Sequence, residues 1–187
     1  LDELLAAEYN YIALTASQAN EDRARVSSFY LVAVGSLVAG LFGTQFFDAG
    51  NVTTAVKLMF SGLFVMLTVL GFSTVMQLAR LRSAWHESML AMNQIKEYYI
   101  KSHPEIETAF KWRGGTIPAT NKPHSIANLI AVEVATLSAL TTGAGAYFLM
   151  TLLGESTWVG WLVVIVSTVA GYIVQWQWYL RLLVDDR

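Results

Sequence analysis

The chain has 187 residues, of which 55% are apolar and 14% charged, with a net charge of −2 and no cysteine. Soluble domains carry about 25% charged residues, so this deficit points toward a membrane bundle. It excludes a disordered chain and a strongly basic nucleic-acid binder, so no nucleic acid is expected as a partner. Without cysteine there is no disulfide, thiolate metal site or cysteine nucleophile.

The opening segment, residues 1–25, lacks Gly and Pro and reads as a cytosolic or interfacial helix, with Glu21 and Arg25 at a favourable i,i+4 spacing. The chain opens on Leu1, which leaves room for further sequence upstream. Val26 to Phe47 then runs 22 residues without a charge, and Leu58 to Ala79 another 22. Ser125 to Gly154 is 30 residues broken only by Glu133, and Ser156 to Leu180 is 25 with none. A bilayer core about 30 Å thick needs roughly 20 apolar helical residues, so all four segments are long enough to cross. The first is too long for a signal-peptide apolar region and lacks a cleavage pattern after it. The fold class expected is therefore all-α. Two transmembrane hairpins, with spans near 26–47, 56–79, 125–153 and 156–180, form an integral membrane four-helix bundle.

Between the hairpins, residues 80–124 read as a cytosolic helical stalk and linker. Span two continues without Gly or Pro to Ser102, and an unbroken Thr54–Ser102 helix would be about 73 Å long. Leu81, Trp85, Met89, Met92, Ile95 and Tyr99 repeat at helical spacing along it. This stripe needs a cover: the N-terminal helix, a short second helix or another subunit, the last making it an oligomer stalk. Ser102-x-x-Glu105 with Pro104 predicts a capping box opening a helix over Pro104 to Trp112. Gly114, Gly115, Pro118 and Pro123 form a linker, and Ser125 is the expected N-cap of span three.

Eleven of the twelve Lys and Arg residues fall on one side of this topology; only Lys57 lies on the other. The positive-inside rule then places both termini and the stalk in the cytoplasm, in a plasma or inner membrane. Trp158 and Trp161 mark the outer interface; Trp176, Trp178 and Tyr179 mark the inner one.

Glu133 is the one ionisable residue well inside a span, about eight residues from its inner end. A lipid-facing carboxylate is costly there, so it is expected to face protein or water. Counting from the Glu155 turn, Glu133 lies 22 residues back and Gln177 lies 22 forward. Level antiparallel helices would gather Glu133, Thr136, Gln175 and Gln177 into an ion or proton pathway, or an interhelical polar cluster. Small residues at helix-packing spacing are Ser36 and Gly40 in span one, Gly143 in span three, and Ser167 and Gly171 in span four. Gly71 with Gln77 and Gly171 with Gln177 share a spacing that hints at duplication.

The remaining motifs carry no chemistry. His86, His103 and His124 are dispersed and outside the spans, and no metal-ligand spacing occurs. Gly114-Gly115 lacks phosphate-loop context, and no catalytic pair or triad is visible. No cofactor and no enzyme activity are expected. The basic residues of the stalk alternate with Glu87, Glu97, Glu105 and Glu107, as on a solvated face, though contact with anionic lipid is an alternative. The expected function is a homo-oligomeric channel or pore-like assembly. The alternatives are an accessory or scaffold subunit bound to other membrane subunits, and a small transporter.

Overall fold

The computed structural model describes residues 2–43, 53–154 and 157–184. It contains four long helices: α1 (Asp2–Gly43), α2 (Thr54–Ser102), α3 (Ile126–Leu152) and α4 (Trp158–Val184). No strand occurs among the described residues, and all four helices are long and apolar enough to cross a membrane. The loop between the first two spans, the Glu155 turn residue and the C-terminal tail lie outside the described residues.

The opening segment and the first span are one continuous helix, and α2 runs unbroken over its full expected length. Neither contains a proline, so no residue in them lacks the backbone N–H that the helical ladder uses. Ser125 caps α3, its side chain accepting from the backbone N–H of Asn128. After α3, Gly154 takes φ +79°, a conformation that suits glycine at a helix C-terminus.

The short second helix differs from expectation. Pro104–Ala109 is a 3₁₀ helix, with its N-cap at His103 and no side-chain cap bond. The Ser102 hydroxyl donates back to the carbonyl of Tyr98, so it is unavailable for the capping box. Gly114–Thr116 forms a second 3₁₀ turn, and no α-helix reaches Trp112.

In the bundle, α2 and α3 make the most extensive contact, with α1 against α2 and α4 against α3. The apolar windows of α2 and α3 are 39% and 44% buried, against 17% and 11% for α1 and α4. So α2 and α3 form the centre, and the other two helices present most of their apolar surface outward. Val75, Leu78, Ala79, Ala131, Val134 and Ala135 fill the half of the core nearer the extended end of α2. Phe60, Phe64 and Leu67 fill the other half, where Phe148 stacks on both phenylalanines at 5.5 and 5.7 Å.

Candidate functional site

The orientation of α3 decides where its carboxylate points. Ala127, Ala131, Ala135, Ala139 and Gly143 recur every fourth residue and are all buried. This ladder of small side chains allows close helix approach, and at Gly143 the neighbour is Thr168 of α4. Glu133 and Thr136 stand off that row and are exposed. With Ile126, Leu129 and Leu140, also exposed, they form one outward stripe at spacings of three and four. The Thr136 hydroxyl is satisfied locally, donating to the carbonyl of Val132 at 2.7 Å.

The four polar residues expected to meet are therefore not one cluster within the chain. Gln175 is buried at 3% exposure, while Gln177 is exposed. Among the described residues no hydrogen bond links either glutamine to Glu133, and the Gln175 Oε1 has no partner. The α3–α4 contacts pair Gly143 with Thr168 and Gly171 with Thr142, a register that sets Glu133 level with residues slightly beyond Gln177. Counting from the turn gave the height nearly right; it could not give the rotation about the helix axis.

A polar interior does exist, and it is made of hydroxyls. The Thr68 and Thr141 hydroxyls lie 3.2 Å apart, Thr142 donates to Thr68 at 3.4 Å, and Ser138 donates to the Thr68 carbonyl. Tyr30 of α1 reaches this level, 1% exposed, where Gly71 leaves space for its hydroxyl beside Ser138. Sequence reading passed over these residues because serine and threonine are common in apolar spans. Their signal was alignment: Thr68 and Gly71 on α2 match Ser138, Thr141 and Thr142 on α3.

The packing residues divide. Gly143 and Gly171 sit in the α3–α4 contact, with Ser167 half-buried beside it. Ser36 and Gly40 are exposed, and a Cβ built on Gly40 would meet nothing within 4 Å.

Where α2 leaves the bundle, Arg82 is buried at 7% exposure. Its Nε donates to the carbonyl of Thr120 at 3.0 Å, and its guanidinium lies 4.5 Å from the Trp85 ring centroid. Burial lowers the pKa of Arg82, and the nearby Arg23 lowers it further.

Above this level the stalk stripe is partly covered by the same chain. Leu81 shares a groove with Asp22 and Val26 of α1. Trp85, Met89 and Met92 face Tyr9 of α1 and Trp112 of the linker. Ile95 and Tyr99 adjoin Leu5 and Ala6, and the Tyr99 hydroxyl donates to Asp2 at 3.2 Å. The first half of α1 thus occupies the face on which another subunit was one expected cover.

No group of three metal-ligating side chains occurs among the described residues. No family model matches the chain, and neither a curated protein nor a solved structure matches it.

Proposed function

We propose that this is a non-enzymatic integral membrane protein that assembles with copies of itself into a channel-like body. The outer stripe of α3 then faces the assembly axis, both termini are cytoplasmic, and the membrane is a plasma or inner membrane. The observation that carries this reading is the outward carboxylate of Glu133, with Thr136 one turn away on the same stripe. Facing lipid, a charged group costs up to about 2.5–3.5 kcal/mol on insertion scales, the figure for a helix centre, so at Glu133's depth it is still better placed against water or a partner helix. A neighbouring copy supplies both, because an axis lined by α3 stripes collects the only intramembrane carboxylates away from the acyl chains. The hydroxyl interior between α2 and α3 is closely packed and offers no wide path within one chain.

Native mass spectrometry of the purified protein tests this. A single species at a multiple of the 20.7 kDa chain mass is expected. A stable monomer overturns it. In planar bilayers Glu133→Gln should alter conductance while leaving assembly intact; unchanged conductance removes the carboxylate from the pathway. The accessory-subunit reading predicts instead that the α3 stripe is covered by a different polypeptide.

A further inference from the structure

The projecting half of α2, the start of α1 and the linker enclose a cavity of about 310 Å³, at the lower end of small-molecule sites. Its walls are aromatic: Tyr9 from α1, Trp85 from α2 and Trp112 from the linker. Met89 and Met92 add thioether surface, which adapts its shape to flat rings. Ile117 and Pro118 close the linker side.

Two polar groups line this apolar space. Asn93 is 5% exposed; its Nδ2 donates to the carbonyl of Met89 at 2.9 Å, which leaves Oδ1 as the free end of the amide. That Oδ1 is buried with no hydrogen-bond partner among the described residues, an arrangement that costs stability. Lys96 makes no ion pair among the described residues, and its ammonium lies over the Phe110 ring at 5.8 Å from the centroid.

The linker wall is held in place. Arg113, next to Trp112, donates to both carboxylate oxygens of Glu97 at 3.2 Å and pairs with Glu107 as well. Trp112 is thereby fixed opposite α2 by a bidentate clamp rather than left on a loose loop.

We infer that this cavity binds a small, flat aromatic carboxylate. The rings pack among Trp85, Trp112 and the methionines, and the carboxylate meets Lys96. The positive charge of Lys96 selects an anion and rejects an aromatic cation, which the three rings alone would have welcomed. This site is independent of the assembly reading, since every wall comes from one chain.

Indole-3-acetate is the probe, titrated by calorimetry and by saturation-transfer NMR into the full chain in nanodiscs, with empty nanodiscs as the blank. Saturable binding of one equivalent is expected, with the neutral 3-methylindole weaker. Lys96→Gln, a half-exposed position that leaves the helix intact, should weaken indole-3-acetate about tenfold through loss of one charge-assisted contact. Met89→Trp should fill the cavity and abolish binding; if that variant misfolds by circular dichroism, Ile117→Trp tests the same point from the linker. Heat no greater than the blank, or equal affinity for Lys96→Gln and the parent, overturns the proposal.

Discussion

At Gly71 helices α1, α2 and α3 meet in close contact. A Cβ added there would lie 2.6 Å from the Tyr30 hydroxyl and would also collide with Ser138. Both neighbours are buried, so Gly71→Ala should destabilise the bundle by about 1–3 kcal/mol, the usual cost of overpacking. Gly62→Ala, where nothing lies within 4 Å, should stay within about 0.5 kcal/mol of the parent. Thermal unfolding of both variants in one detergent checks the contrast. His86 makes a second residue-scale prediction. Burial lowers its pKa below the ordinary 6.5, and Arg82 lowers it further, against the pull of Glu87. The unfolded chain therefore binds the proton more readily, so stability is full above 6.5 and falls as the pH drops below it. A melting temperature that declines on acidification from about 7 to about 5, and less steeply in His86→Asn, is the expected result. At this scale the sequence revealed Glu133 as the lone carboxylate but not its direction. Height along a helix follows from counting residues, whereas rotation follows from which side chains are small enough to pack. The alanine row from Ala127 to Ala139 held that information.

Element by element, the extended α2 and the Ser125 cap of α3 were legible because each depends on neighbours in sequence. The linker was not. A capping box needs the Ser102 side chain to turn forward, but inside a helix that continues to the same residue it bonds backward to Tyr98. What shapes residues 104–123 is a long-range clamp, Arg113 onto Glu97, which local spacing does not encode. Bonding to Arg113 also holds the Glu97 carboxylate below its ordinary pKa. The groups are substantially exposed, and such pairs contribute modestly to global stability. Arg113→Ala should therefore leave the melting temperature nearly unchanged while amide exchange rises across residues 104–123. Unchanged exchange in that segment would remove the clamp from the account.

Across the whole molecule, four helices could be read from charge-free lengths, since bilayer thickness sets a minimum run that soluble helices seldom reach. Their arrangement could not, because apolar composition alone does not separate lipid-facing from helix-facing surface. The stalk stripe illustrates the difference: its apolar periodicity was real, yet its cover is the chain's own α1. With that face largely occupied, the proposed self-assembly rests on the outward stripe of α3. The chain's lack of cysteine makes this directly testable, because any introduced thiol is unique. Residues lining a cyclic axis meet their own copies, and a disulfide forms only when the Cα atoms come within about 7 Å. Oxidation of Thr136→Cys in native membranes should give a disulfide-linked dimer, whereas Ile165→Cys, outward on α4 at 61% exposure, should remain monomeric. Thr136→Cys that stays monomeric under the same oxidation would contradict an assembly built on α3.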